Sequence, residues 1–281
     1  MKLKENSISL GLASVCFASA GAAQDLSTTR LNVLGRQGVI EMPSAEVAPD
    51  GQLGLSYAKF GNVSRTTLTF QIAPRLSGSF RYSGYLLLNE GQYRPAVSVG
   101  LQDFMGTGLL SGEYIVATKS VGDKLRVTGG LGWGRLGSYK PLGVSVGDRD
   151  TSFVETGGSP NFDQWFRGDA AVFGGLSYQI SDKMTVLAEY SSDAYTTEVA
   201  RDVFNHQSPF NVALDYKLGK NTSVTAFVLH GDAVGLQFST GLNPKSPKIS
   251  GGFETAPLPL RPRPSRSADP VGWSGEWVAE V

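Results

Sequence analysis

Cysteine is almost missing from this chain: Cys16 is the only one in 281 residues, and it lies near the N-terminus. The rest of the chain has no thiol, so a disulfide framework and a cysteine metal site are excluded. Histidine is nearly as scarce, with only His206 and His230. His206 lies in a loop-like stretch near Asp202 and Asn205, and His230 ends a strand-like run beside Asp232. Both read as surface residues. A lipid hydrolase at a membrane edge would need a serine beside one of them, and no nucleophile-elbow pattern surrounds any serine. Gly147-Asp148-Arg149-Asp150 lacks the rest of a calcium loop. Neither a metal nor a cofactor is therefore expected, and the chain does not read as an enzyme. Charge is also sparse, at 18% of residues against a usual ~25%. It balances to zero, which removes the electrostatic pull that nucleic acid binding needs. No apolar run is long enough for a membrane-spanning helix.

Glycine is abundant by contrast, at 35 residues, and the hydropathy repeats in twos. In Phe210-Asn211-Val212-Ala213-Leu214-Asp215-Tyr216-Lys217-Leu218 large apolar residues alternate with small, polar or charged ones. Runs through Val172, Leu176 and Tyr178, through Val186 and Tyr190, and through Val234, Leu236 and Phe238 repeat it. A period of two is the strand period. About nine to eleven residues are what a tilted strand needs to cross a bilayer. Only helices and closed barrels satisfy every backbone group there. The pattern therefore predicts an all-β fold, an antiparallel transmembrane barrel of about twelve strands, with lipid as its surroundings.

Strands are expected at 52–60, 65–73, 76–83, 93–102, 111–118, 124–135, 169–180, 184–191, 210–218, 223–230 and 234–242, with a short first strand at Gly38–Met42 stopped by Pro43. The stretch Tyr85–Asn89 fits no element. Tight turns at Gly122-Asp123, Ser181–Lys183 and Gly219–Asn221 alternate with long excursions at Leu136–Gly168 and Ser192–Pro209. That is the outer-membrane arrangement, with short turns on the periplasmic side. The longer excursion carries Arg149, Asp150, Trp165 and Phe166, a mixture suited to sugar faces. Tyr57, Tyr82, Tyr93, Tyr114, Trp133, Tyr178, Tyr190, Phe210 and Tyr216 read as interfacial aromatic girdles on the apolar face.

Residues 1–23 read as a secretory signal peptide, with Lys2 and Lys4 ahead of the apolar stretch Ile8–Ala20 and small residues at its end. Val15 stands before Cys16 where a lipidation signal wants a small residue. The barrel domain is then 24–242, and 243–281 a proline-rich periplasmic linker or tail centred on Leu258–Pro264. Trp273 and Trp277 near its end suggest a packing partner, periplasmic or a C-terminal half.

The face opposite the apolar one carries Arg65, Arg81, Arg94, Glu113, Arg126, Asp169, Glu189, Asp215 and Lys217. In a barrel these line the lumen. They read either as ion pairs that fill a small barrel, or as a track that meets polysaccharide hydroxyls and uronate carboxylates.

Gly38–Ala45 with Ala48–Gly51, then Tyr93–Phe104, Gly106–Gly108, Ser111–Lys119 and Gly129–Leu136 together resemble the YjbH family. The resemblance implies an outer-membrane protein linked to exopolysaccharide synthesis or export, in a Gram-negative bacterium and in a biofilm or cell-envelope setting. Family members look longer, with a second barrel half, so the chain is similar to the N-terminal half; its Gly84–Asn89 stretch looks shorter than theirs. A small porin-like channel and a membrane-edge lipid hydrolase remain the alternatives.

Overall fold

The computed structural model describes residues 30–79, 82–150, 158, 160 and 162–245. The alternating sequence forms β1 (Leu53–Phe60), β2 (Val63–Ala73), β3 (Leu76–Ser79), β4 (Tyr82–Leu88), β5 (Ala96–Gln102), β6 (Gly112–Val121) and β7 (Leu125–Gly134). After a long loop holding the two-residue strands β8 (Ser145–Val146) and β9 (Gly168–Asp169), the wall resumes with β10 (Ala171–Gln179), β11 (Met184–Tyr190), β12 (Phe210–Gly219), β13 (Thr222–Leu229) and β14 (Ala233–Leu242). Each wall strand pairs antiparallel with the next, β7 with β10, and β14 returns to β1 with Leu53 opposite Leu242. The result is a closed twelve-stranded barrel with no free sheet edge.

The expected strand number holds, but through two compensating differences. Gly38–Met42 is not a wall strand; among the described residues its only ladder contact is an isolated bridge from Gly38 to Pro43. The expected strand 76–83 divides instead, and the unplaced Tyr85–Asn89 run falls largely in β4. A register shift between Leu86 and Leu88 breaks the two-residue period there, which hides the strand from a pattern reading.

Leu55, Tyr57, Leu68, Phe70, Val172, Leu176, Val212, Leu214, Leu236 and Phe238 all face outward and exposed. Their neighbours Ser56, Thr69, Asn211, Ala213, Asp215, Gln237 and Ser239 are buried on the inner face. Of the expected girdle, Tyr57, Tyr93, Tyr178, Phe210 and Tyr216 are exposed and Tyr190 is half-buried. Tyr82, Tyr114 and Trp133 are buried, a correction explained for the two tyrosines by what fills the barrel and for Trp133 by the long loop that folds over the rim.

Turns at one end are short, and Gly122 between β6 and β7 makes its turn at φ +62°, a conformation that favours glycine. The loops between β7 and β10 and between β11 and β12, the latter with the helix α1 (Thr196–Ala200), lie at the other end. Residues 30–47 enter the lumen from the short-turn end. They place Val33, Val39 and Ile40 in an apolar cluster with Phe60, Leu187 and Phe227, and Met42 and Ala45 in a second with Tyr114, Val116, Leu136 and Phe173.

Candidate functional site

The lumen is occupied by the chain's own segment 30–47, here called the plug. It has little regular structure, so its backbone groups need other partners. Asn32 supplies several: its side-chain oxygen accepts from the amides of Leu34 and Arg36, both at 3.1 Å, and its amide donates to the Glu41 carbonyl at 3.0 Å. Gly35 turns at φ +78° against the wall, where a Cβ would lie 2.2 Å from the Thr67 Cβ, so only glycine fits. The wall provides the rest. The Glu189 carboxylate accepts the amides of Ile40 at 2.7 Å and Met42 at 2.9 Å, together with that of Glu41 and the side-chain amide of Asn211. Thr118 accepts the Ala45 amide at 2.9 Å, and Gln237 donates to the Leu31 carbonyl at 2.7 Å.

The Arg36 guanidinium sits 4.8 Å from the Tyr82 ring centre and 5.2 Å from that of Tyr114. The two tyrosines therefore face the plug as cation-binding rings rather than the bilayer.

Above the plug, at the long-loop end, the Glu41 carboxylate accepts the Tyr195 hydroxyl and lies 3.4 Å from His230 Nε2 and 3.9 Å from Arg65. His230 is fully buried, stacked on Phe204 with ring centres 4.4 Å apart. Burial lowers its pKa from the usual imidazole value, and Glu41 only partly opposes this. Arg135 pairs with Asp193 and, at 2.7 Å, with Glu198 of α1, and lies over the Tyr195 ring. These ion pairs tie the second loop down over the plug.

Five of the nine sequence-derived lumen residues face inward: Arg65, Arg126, Glu189, Asp215 and Lys217. Three do not, and Arg81 lies outside the described residues. Arg94 is exposed in the turn before β5, and Asp169 belongs to β9 in the long loop. Glu113 shares the outer face of β6 with the exposed Ile115. It is nevertheless buried, because the long loop folds over the barrel rim and brings Arg149 to 2.6 Å and the Phe166 amide to 3.0 Å. Trp133, opposite Glu113 on β7, is covered by Phe166 with ring centres 5.3 Å apart. In β6 the inward residues Tyr114 and Val116 are apolar because they pack on the plug, and so the pattern inverts its faces.

The inward arginines are also spent. Arg65 faces Glu41, and Arg126 pairs with Glu46 of the plug. They hold the plug; a free arginine track along the lumen is not what the geometry displays. The long loop frames a cleft of about 530 Å³ at the rim, bordered by Arg135, Arg149, Asp148, Asp150, Asp169 and Asp193. It is acid-rich, suited to hydroxyl-bearing ligands. No group of three or more metal-ligating side chains occurs among the described residues. Nor does a serine hydroxyl hydrogen-bond His206 Nε2 or either ring nitrogen of His230 among them.

The plug, Glu41, Tyr195 and His230 escaped the sequence reading as functional positions. The one available signal was a glutamate set between apolar residues in Gly38-Val39-Ile40-Glu41-Met42, too hydrophobic for an exposed linker.

Four known families or proteins are similar to this chain. The family described as "YjbH: Exopolysaccharide biosynthesis protein YbjH" matches residues 30–86 and 84–277. A protein of Escherichia coli (strain K12) titled "Uncharacterized lipoprotein YjbH" is 28% identical over 246 residues, which are 75% of this chain and 34% of the relative. The chain thus spans about a third of that relative's length. Among solved structures, a "KdgM porin" aligns with 68% of this chain and 97% of its own at TM-score 0.35 and 12% identity. A NanC porin aligns with 66% of this chain and 97% of its own at TM-score 0.34 and 11% identity.

Proposed function

Because the chain belongs to the YjbH family of exopolysaccharide biosynthesis proteins, we propose that it is an outer-membrane barrel that assists exopolysaccharide assembly or export without catalysing a reaction. The observation that carries this reading is the occupied lumen. Segment 30–47 is pinned to the wall by Glu189, Thr118 and Gln237 and capped by the Tyr195 loop. A porin-like channel would need that segment displaced, so the plug favours an accessory role over passive diffusion. The membrane location is supported by the apolar outer face and by the short turns opposite long loops. The acid-rich rim cleft offers hydroxyl-binding ground at the end where long loops gather. Trp273 and Trp277, outside the described residues, are proposed to meet a periplasmic partner or a C-terminal half.

The test is genetic and biochemical. A strain lacking the gene should secrete less polymer, and the full chain should restore secretion. The protein should fractionate with the outer membrane and migrate as a heat-modifiable band. Recovery as a soluble periplasmic species, or unchanged secretion in the deletion strain, would overturn the proposal.

A further inference from the structure

A formal net charge of zero conceals a separation of charge along the barrel. Acids crowd the long-loop rim. At the short-turn mouth the balance reverses: Arg30, Lys124, Arg126 and Lys217 line one pocket with a single carboxylate, Asp215.

Strand register builds this mouth. Arg126 on β7 lies opposite Ser177 on β10, Gln179 on β10 opposite Thr185 on β11, and Thr185 opposite Asp215 on β12. Lys217, two residues beyond Asp215, shares its inward face. The carboxylates are already engaged. Glu46 pairs with Arg126, and Asp215 accepts the Thr225 hydroxyl at 2.7 Å while attracting Arg30. Lys124 and Lys217 have no carboxylate partner among the described residues. Arg30 and Arg126 line the same pocket, so their like charges oppose each other. The adjoining turns do not correct the excess, since Asp123 and Asp182 are matched by Lys183 and Lys220. Like charges gathered in a partly desolvated mouth repel, and an arriving anion relieves that repulsion.

We propose that this short-turn mouth binds carboxylate-bearing saccharide residues, with Lys124 and Lys217 meeting the carboxylate. The ammonium groups act as mobile point charges, unlike the spent guanidinium of Arg126. The enclosed space among Ser177, Gln179 and Thr185 is about 20 Å³, room for the carboxylate group alone, so the sugar ring stays outside it at the mouth. The saccharide class rests on the exopolysaccharide reading above; the anionic class rests on the pocket.

The test uses the full chain in detergent and calorimetry with a uronic-acid tetrasaccharide and its carboxyl-reduced neutral counterpart. The uronate should bind roughly tenfold or more tightly than the neutral sugar, and its affinity should fall with added salt. A Lys124→Gln, Lys217→Gln double variant should lose roughly tenfold in uronate affinity with its heat-modifiable migration unchanged. If that variant fails to fold, the double Lys→Arg variant replaces it and should retain binding. Equal affinity for the two sugars, unchanged affinity in the glutamine variant, loss of binding in the arginine variant, or no binding would each overturn the proposal. Displacement by equimolar inorganic phosphate would overturn the saccharide assignment and leave a general anion site. None of these outcomes touches the secretion phenotype of the deletion strain, which judges the wider reading separately.

Discussion

Ile40 of the plug donates its amide to the carboxylate of Glu189 on β11 at 2.7 Å, and the next two amides of the plug turn to the same carboxylate. One buried acid thus gathers three consecutive backbone donors that have no helix or sheet to satisfy them. The wall of the barrel does for the plug what secondary structure does elsewhere.

Glu189→Ala should therefore loosen the plug more than it harms the wall. Each orphaned buried amide costs about 1–3 kcal/mol. The variant should lose stability in denaturant and become sensitive to trypsin within 30–47, at Arg36. Glu189→Gln keeps one acceptor oxygen and should fall between the two. Equal protease resistance in all three proteins would remove Glu189 from this role.

Leu214 is 38% exposed on the outer face of β12 and Ala213 is 7% exposed on the inner one. Leu214→Arg should sharply reduce assembled barrel, since arginine at the bilayer midplane costs roughly 2–4 kcal/mol. Ala213→Ser should assemble nearly as the parent does. Band intensity of the heat-modifiable form measures both, and normal assembly of Leu214→Arg would mean that the outward face is not against lipid.

The wall was legible in the sequence because alternation survives wherever one face meets lipid and the other a polar interior. β10 to β14 show it plainly, and Leu214 and Ala213 fall on their expected faces. Legibility failed where the interior is not polar. The plug presents Met42 and Ala45 to β6, so Tyr114 and Val116 are apolar and inward, and Glu113 is displaced to the rim. The site was less readable than the wall. Its core joins Glu41 to Tyr195 and His230 across long sequence separations, and each residue alone looks like an ordinary loop or strand-end residue. Arg149 likewise read as a loop residue ready for sugar, whereas it neutralises the buried Glu113.

That pair yields a double-variant prediction. Arg149→Met should destabilise the fold by about 3–5 kcal/mol, because Glu113 is left as an uncompensated buried charge. Adding Glu113→Gln should recover much of the loss. Trimming the long loop without treating Glu113 should be damaging for the same reason. Additive effects of the two substitutions in urea unfolding would show that they do not interact.

His230 sets a pH dependence. Burial depresses its pKa, so the unfolded chain takes up a proton more readily than the folded one. Its contribution to stability is therefore present above the unfolded value of about 6.5, and is lost as pH falls through the lower folded value. Glu41, His206, Glu198 and Arg135 act on the same imidazole. His230→Phe, which keeps an aromatic ring on Phe204, should flatten the fall in melting temperature between about pH 7 and pH 5. An unchanged slope would assign the acid sensitivity to other groups.

The proposed accessory role requires a lumen closed by the chain's own plug, and single-channel recording in planar bilayers tests this most directly. Replacing residues 31–45 with a flexible Gly-Ser bridge removes the plug and keeps Glu46, which pairs with Arg126 on the wall. The parent protein should be silent or nearly so. The bridged variant should conduct steadily, and Glu189→Ala should flicker between the two states. Steady parent conductance equal to that of the bridged variant would contradict the account, and the barrel would then be an open pore.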